Sequence, residues 1–194
     1  MTAVALGSVE FKPWPKIARL NREMVVTEKI DGTNACVIVR AEKTGLEVYA
    51  QSRKRIITPE QDNFGFARWV YDNAQRLAEG LGEGYHFGEW YGSGIQRGYG
   101  LQKGDKRFML FNHDRHAEAV AEGRLPENVE TSTVLYRGPF DTLVVNTCVE
   151  ALRNTGSVHV PGFMRPEGVI AYHVPGNLSF KVTVEKDEEP KGKS

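Results

Sequence analysis

The sequence is poor in the features that mark secreted, zinc-binding and membrane-spanning proteins. It has only two cysteines, Cys36 and Cys148, both in apolar patterns, and no Cys/His cluster with the spacing of a zinc site. No apolar run approaches the roughly 18 residues of a membrane span, and the first residues lack the basic start and apolar core of a signal peptide. We therefore expect a cytoplasmic protein with reduced thiols and no membrane association.

The sequence also lacks an excess of charge of either sign. Its 25 lysines and arginines balance 25 aspartates and glutamates, so the formal net charge is zero. A broadly basic surface is thereby excluded, and any binding to nucleic acid has to depend on local clusters. With 194 residues, 40% of them hydrophobic and 26% charged, the chain is long enough for one domain with a buried core.

The apolar patterns predict seven or eight strands and two or three helices. Alternating or fully apolar runs predict strands over 24–29, 34–40, 46–51, 85–91, 108–111, 134–136, 168–174 and 178–184. Helical spacing predicts helices over 63–79 and 114–122, and a third between an Asp141 cap and a Gly156 stop. Strands that pair as hairpins, with helices inserted between them, give an α+β fold of mostly antiparallel sheets.

The most informative stretch is Glu28-Lys29-Ile30-Asp31-Gly32-Thr33-Asn34, between the first two predicted strands. An Asp-Gly pair between two β-type runs predicts a hairpin, with Lys29 near its tip. Taken alone, this lysine could contact a phosphate, form a Schiff base, act as a nucleophile or be a solvated charge.

Four further charged residues lie at strand ends in apolar or aromatic surroundings: Arg53, Glu89, Glu167 and Lys181. Each could face solvent from one side of an antiparallel sheet. A buried charge without a partner is costly, however, so charges on strands that pack a core tend to meet one another. Together with Lys29, they would form a mixed-charge site suited to a nucleoside triphosphate and a metal ion.

These residues fall within six short stretches. They are Lys29-Ile30-Asp31-Gly32-Thr33-Asn34, Ser52-Arg53, Phe87-Gly88-Glu89-Trp90, Phe108-Met109-Leu110-Phe111, Glu167-Gly168-Val169-Ile170 and Phe180-Lys181-Val182-Thr183. In order and approximate spacing they resemble the motifs of the covalent nucleotidyltransferases, which include ATP-dependent ligases and capping enzymes. The first stretch and the run Gly-Ser-Gly-Ile-Gln-Arg at 92–97 are most similar to the RNA ligase 2-like branch.

The resemblance implies an adenylation-domain fold and a three-step reaction. The Lys29 amine would attack the α-phosphate of ATP, and AMP would then pass to a 5′-phosphate and be displaced by a 3′-hydroxyl, sealing a polynucleotide, RNA in this branch. Mg²⁺ or Mn²⁺ would assist. We expect one domain over 1–184, a charged flexible tail over 185–194, and a monomer. Longer relatives continue into a further domain, so we also expect a protein partner that grips the duplex.

The same resemblance assigns roles to individual residues. Lys29, Lys181 and Glu167 would be catalytic, and Glu167 would also hold the metal. The nucleotide-binding set would comprise Glu28, Ile30, Asp31, Asn34, Arg53, Glu89, Phe111, Val169 and Lys181. Within it, Glu89 would accept from the ribose hydroxyls, Phe111 and Val169 would stack on the two faces of adenine, and the backbone near Glu28 would read the adenine edge. Arg53 would bind the nucleotide or the 5′-phosphate.

One residue departs from the family pattern, and two other functions stay open. Thr183 stands where the last motif usually has a second lysine. A DNA nick ligase of the same mechanism is one alternative, and a nucleotide- or nucleic-acid-binding module without turnover is another. The local basic clusters are 53–55 and the set Arg97, Lys103, Lys106 and Arg107. They form a modest footprint, which predicts weak, salt-sensitive binding to nucleic acid.

Overall fold

A computed structural model describes residues 10–43 and 45–185, so the tail predicted at the C-terminus lies, beyond Glu185, outside the described residues. The described part contains four α-helices and ten strands, with the helices inserted between groups of strands. The helices are α1 (Phe66–Asp72), α2 (Ala74–Leu81), α3 (His113–Ala121) and α4 (Thr142–Thr155). The strands are β1 (Glu23–Lys29), β2 (Thr33–Glu42), β3 (Gly45–Ser52), β4 (Ile56–Ile57), β5 (Gly84–Gly92), β6 (Lys106–Leu110), β7 (Val129–Thr131), β8 (Val134–Pro139), β9 (Gly168–His173) and β10 (Leu178–Thr183). None of the described helices is both long and apolar enough to cross a bilayer.

The strands form two sheets. A four-stranded sheet, the small sheet, has the order β10-β9-β1-β8, and a six-stranded sheet, the large sheet, has the order β4-β3-β2-β5-β6-β7. Neighbouring strands are antiparallel except for β6 and β7, which are parallel. The expected α+β fold of mostly antiparallel sheets with inserted helices is thus confirmed.

Each sheet packs one face against helices and has its own core. The large sheet buries Val37 and Ala50 against Phe66 of α1 and Leu77 of α2. The small sheet buries Met24, Val26 and Val169 against Val145 and Val149 of α4. Burial of these apolar side chains is the main stabilising contribution, and it leaves the other face of each sheet available for function.

The predicted Asp-Gly hairpin is wrong, because β1 belongs to the small sheet and β2 to the large sheet. Residues 30–32 instead cross from one sheet to the other. Ile30 is buried in a third apolar cluster with Tyr91, Tyr99 and Met109. A Cβ on Gly32 would lie 2.5 Å from the carbonyl oxygen of Trp90, so a residue without a side chain is needed for this close passage. Alternation shows two consecutive strands but not that they pair with each other.

The predicted helix over 63–79 is divided into two. Asn73 has φ −114° and ψ 17°, outside the helical region, and lies between α1 and α2. Its side-chain amide donates to the carbonyl of Trp69 over 2.8 Å, which helps to satisfy the end of α1. The prediction for α4 is confirmed at both ends, since the Asp141 carboxylate accepts from the amide of Leu143 and the helix ends at Gly156.

Candidate active site

The Lys29 side chain lies at the junction of the two sheets, in contact with Glu167. Lys29 is the last residue of β1 and Glu167 directly precedes β9, whose first residue, Gly168, is opposite Lys29 in the strand register. The Lys29 Nζ and Glu167 Oε2 atoms are 2.5 Å apart. Two residues 138 positions apart in sequence, both predicted to be catalytic, thus form one buried to half-buried ion pair.

Tyr99 fixes the backbone on both sides of this pair. Its buried hydroxyl accepts from the amide of Asp31 at 3.1 Å and from the amide of Glu167 at 3.3 Å, and it can donate to the Lys29 carbonyl at 3.4 Å. Burial raises the pKa of the Tyr99 phenol, so the hydroxyl keeps its proton. Sequence reasoning missed Tyr99, and its only signal was an aromatic residue in a glycine-rich stretch.

Asp31 is paired with Arg97 of the same glycine-rich stretch. The Arg97 Nε donates to Asp31 Oδ2 at 3.1 Å, and its Nη1 donates to the carbonyl of Arg165 at 3.0 Å. The guanidinium therefore ties the loop after Lys29 to the segment that leads into Glu167. Arg97 and Arg107, which pairs with Glu130, are engaged inside the protein, so the second predicted basic cluster offers less free charge than its sequence suggests.

Glu89 approaches the same loop from the large sheet. Its Oε1 accepts from the amide of Gly32 at 3.1 Å, and Glu89 lies opposite Asn34 in the register of β5 and β2. Burial raises the pKa of the Glu89 carboxyl to about 7, although the Lys29 charge opposes the shift. A carboxylate and an amide thus stand side by side on the sheet face next to Lys29.

The raised pKa of Glu89 has a measurable effect on stability. The pKa of an ordinary glutamate is 4.5, so between pH 4.5 and about 7 the folded protein holds a proton that the unfolded chain has already released. Stability from this group is therefore lost as the pH rises through this window. We expect Glu89→Gln to be more stable than the wild type by about 3 kcal/mol near pH 8, with no difference below about pH 4.5.

Urea unfolding of both proteins across this pH range measures the difference directly. Glu127→Gln is the matched control, because Glu127 is exposed and the same change there should alter stability by less than about 0.5 kcal/mol at every pH. A Glu89→Gln curve that runs parallel to the wild-type curve at all pH values would contradict the raised pKa.

Strand alternation decides which residues of the small sheet face Lys29. Lys181 is opposite Ile170 in β9, and Ile170 is opposite Thr27 in β1. Thr27 is two residues before Lys29, so these side chains share one face. Val169 is fully buried against α4 on the other face. The structure therefore places Ile170, and not the predicted Val169, where a side chain of β9 could contact a nucleotide beside Lys29.

Glu28 is likewise turned away from Lys29. Its carboxylate is almost completely buried and accepts from the hydroxyl of Ser157 at 2.6 Å and from the amides of Val158 and His159, each at 2.8 Å. The Glu28 amide donates to the carbonyl of Thr133 at 3.0 Å. The side chain of Glu28 thus anchors residues 157–159, and the predicted reading of adenine by the nearby backbone remains a prediction.

The other predicted residues lie around the site at different depths. The side chain of Ile30 is buried in the third apolar cluster, with Tyr91, Tyr99 and Met109, and so supports the loop that follows Lys29. Arg53 is exposed and directly follows β3, and Lys181 is exposed on the edge strand β10. Phe111, 42% exposed, follows β6 and pairs through its amide with the carbonyl of Phe87. Within the described part, Lys29 contacts Glu167 directly. Arg53, Lys181 and Phe111 lie at the edge of the site.

A second polar network, also missed by sequence reasoning, joins β5, β6 and β7 of the large sheet to the segment between α4 and β9. Glu130 accepts from the hydroxyl of Tyr91 at 2.6 Å and from Arg107 at 2.8 Å, and it contacts His159 at 3.0 Å. Burial alone would raise the pKa of the Glu130 carboxyl, but the hydrogen bonds from His159 and Tyr91 and the charge of Arg107 lower it to about 2. The four residues are far apart in sequence and belong to no short motif.

Comparison with solved structures identifies the fold. A Naegleria gruberi RNA ligase variant with ATP and Mn superposes with a TM-score of 0.61 at 16% identity, over 88% of this chain and 52% of that one. A second variant, with AMP and Mn, gives 0.58 at 18% identity, over 88% and 53%. An archaeal ATP-dependent RNA ligase gives 0.55 at 18% identity, over 88% and 48%. The chain thus shares the fold of part of these ligases and spans about half of their length.

Sequence comparison agrees with the structural match. A search of the curated proteins found no match. The model of the RNA ligase family, in contrast, matches residues 22–183, a region that begins just before β1 and ends with β10. It includes Lys29, Glu89, Glu167 and Lys181. The chain therefore belongs to the RNA ligase family.

Proposed function

We propose that this protein is an ATP-dependent RNA ligase that works through a covalent lysyl-AMP intermediate. The observation that carries the proposal is the Lys29–Glu167 pair at the junction of the two sheets, with Glu89 bonded to the adjoining loop. Membership of the RNA ligase family supports it. So does the likeness to Naegleria gruberi RNA ligase, whose structures contain ATP or AMP with Mn.

In the first step the Lys29 amine attacks the α-phosphorus of ATP. An ammonium group has no lone pair, so Nζ has to release a proton before it can attack. Glu167 Oε2, 2.5 Å from Nζ, orients the group, and the positive charge of a bound divalent ion and of Lys181 would favour loss of the proton to solvent. A P–N bond to Lys29 then forms as the bond to the pyrophosphate leaving group breaks, so that Lys29 carries AMP. In the later steps the AMP passes to a 5′-phosphate and is displaced by the 3′-hydroxyl of the other RNA end.

The remaining contacts to the nucleotide would come from residues on the open faces of both sheets. On the large sheet, Glu89 and Asn34 would accept from and donate to the ribose hydroxyls, and Phe111 would stack on adenine. On the small sheet, Ile170 would cover the other face of the base. Lys181 and Arg53 would lie toward the phosphates, where positive charge offsets the charge of the transferring group.

A Mg²⁺ or Mn²⁺ ion would arrive with ATP. No three acidic, histidine or cysteine side chains of the described residues form a metal site by themselves, so the protein would supply only part of the ligands. Carboxylate oxygens are ligands that these ions prefer, and substrate phosphates usually complete the set. Glu167 is the residue that we expect to hold the metal. When bound, the ion would offset negative charge on the phosphates.

We further propose that residues 1–184 act as one adenylation domain, as a cytoplasmic monomer, and that a protein partner supplies additional grip on the duplex. Arg53, Lys54 and Arg55 form an exposed basic cluster at one end of β3. Because phosphate contacts by so few side chains give weak and salt-dependent binding, stable engagement of a duplex would need basic surface from elsewhere.

The proposal is tested by incubating the protein with ATP labelled at the α-phosphate and a divalent metal, then denaturing it. We expect label attached covalently to the chain, with ATP strongly preferred over GTP. Nicked duplexes with RNA or DNA on the 3′-hydroxyl side then identify the acceptor, and we expect sealing with RNA. No covalent label would leave only a binding module, label from GTP would indicate a capping enzyme, and equal sealing of all-DNA nicks would indicate a DNA ligase.

A further inference from the structure

The open face of the large sheet carries three exposed aromatic side chains in neighbouring positions. Tyr85, Phe87 and Phe111 are 54%, 46% and 42% exposed, respectively. The rings of Tyr85 and Phe87 are nearly parallel, with an angle of 15° between their planes and 6.2 Å between their centroids. We call these three residues the aromatic row. The opposite face of the large sheet is covered by helices. The aromatic row therefore lies on the face that the helices leave open.

The aromatic row continues directly from the candidate nucleotide site. Glu89, Phe87 and Tyr85 alternate along β5 and therefore point to one face. In β2 their partners are Asn34, Cys36 and Ile38, respectively. Phe111 is joined to Phe87 by a backbone hydrogen bond of 3.0 Å. Successive side chains on one face of a strand are roughly 7 Å apart, so the row leads away from Glu89 over about 14 Å.

Two features of this face fit an unpaired nucleic-acid strand. Aromatic side chains on an open sheet stack on bases that are not held in a duplex, whatever their sequence, whereas an exposed apolar patch without a ligand would be a liability. Arg40 lies at the far end of the same face of β2, opposite Glu47 of β3. Arg53 follows Ser52, which is opposite Ala35 at the near end. An arginine thus occurs at each end of this part of the sheet, with Glu47 opposite the one at the far end.

We propose that Tyr85 and Phe87 stack on unpaired bases of the RNA next to the end that is joined, a contact that a strand end fully paired in a nicked duplex could not make. This inference rests on the ligase function proposed above and specifies the part of the substrate that the large sheet holds. Phe111 belongs both to the aromatic row and to the nucleotide site, where it is the residue expected to stack on adenine. A strand bound along the row would lead toward Lys29, so that its terminal phosphate reaches the site of AMP transfer.

The test compares the double variant Tyr85→Ala, Phe87→Ala with two matched proteins. The ring-keeping double variant Tyr85→Phe, Phe87→Tyr retains both stacking surfaces. Tyr71→Ala removes an aromatic side chain of similar exposure from α1, which packs against the opposite face of the large sheet. Binding is measured without ATP, with a short fluorescent single-stranded RNA of mixed sequence, with the same sequence as a full duplex, and with a strand of the same length that lacks bases.

We expect the double alanine variant to bind the single strand about tenfold more weakly, and the ring-keeping and Tyr71→Ala variants to stay within about twofold of the wild type. Affinity for the duplex and for the strand without bases should be unchanged. The slope of log K against log salt should also stay the same, because no phosphate contact is removed. Unchanged single-strand binding by the double alanine variant, or an equal loss on all three nucleic acids, would overturn the proposal.

Covalent labelling by ATP on the same preparations separates this inference from the function on which it rests. Phe87 and Tyr85 lie two and four residues from Glu89 along β5, and in the described part neither is hydrogen-bonded to Lys29 or Glu167, so the double alanine variant should be labelled like the wild type. Labelling without any effect of the two rings on RNA binding would overturn the role of the aromatic row alone. Ring-dependent binding without labelling would overturn the ligase mechanism and leave an RNA-binding surface.

Discussion

Lys29→Ala is expected to abolish covalent labelling by ATP, a loss of more than about a thousandfold. Removal of a nucleophile stops a covalent step outright, whereas removal of a binding residue only weakens it. The nucleotide contacts assigned to Glu89, Asn34 and Ile170 remain in this variant, so reversible ATP binding should change by less than about tenfold. Gel detection of labelled protein and equilibrium dialysis with ATP measure the two effects separately.

Two further variants make this result specific. Lys29→Arg keeps a positive charge beside Glu167 and should remain folded, but a guanidinium keeps its proton and cannot attack. It should therefore also remain unlabelled. Lys54→Ala removes an exposed lysine from the basic cluster that follows β3 and should be labelled normally. Label that persists in Lys29→Arg would show that another residue takes the AMP.

Gly168→Ala is expected to have the largest effect on stability, a loss of about 3 kcal/mol or more. Gly168 has φ +154°, and a Cβ there would overlap the carbonyl oxygen of Val182 and lie 2.7 Å from the Cα of Thr183. Both are backbone atoms of β10, so relief requires the edge strand to move away from β9. Because β10 carries Lys181, labelling by ATP should fall together with stability.

Gly45→Ala is the matched control for backbone strain without overlap. Gly45 has φ +126°, and among the described residues a Cβ built on it meets no atom within 4 Å. It should cost about 1 kcal/mol, against three times as much at Gly168. Urea unfolding of the two variants measures both costs. Similar losses in the two proteins would show that β10 is not held against β9 as closely as the structure indicates.

Local sequence patterns predicted most elements because these depend on neighbouring residues. The Asp141 cap and the Gly156 stop set the ends of α4 correctly, since capping is a property of the residues at each end. The separation of β1 and β2 into different sheets could not be predicted in this way. It depends on the burial of Ile30 between the sheets and on the space above Gly32, both of which involve residues about 60 positions away.

Residues of the candidate site could be predicted from the sequence where the proposed reaction requires a particular type of side chain. The proximity of Lys29 and Glu167 was such a case. The choice between Val169 and Ile170 was not, because alternation gives two faces but does not say which faces the core until α4 is in place. Tyr99 and Glu130 were missed, and Arg97 was assigned only to a basic cluster, for a related reason. They hold the site through hydrogen bonds to backbone and to distant side chains, which leave no local pattern.

The crossover at residues 30–32 makes the geometry of the site depend on the cooperativity of the whole domain. Lys29 belongs to a sheet with one core and Glu89 to a sheet with another. Within the described part, the small cluster of Ile30, Tyr91, Tyr99 and Met109 lies between them. Energetic coupling between the two cores therefore passes through this cluster, which also supports the loop after Lys29. A mutation that loosens the cluster would uncouple the two sheets. The same mutation would move the Lys29 amine out of line with the phosphate that it is proposed to attack.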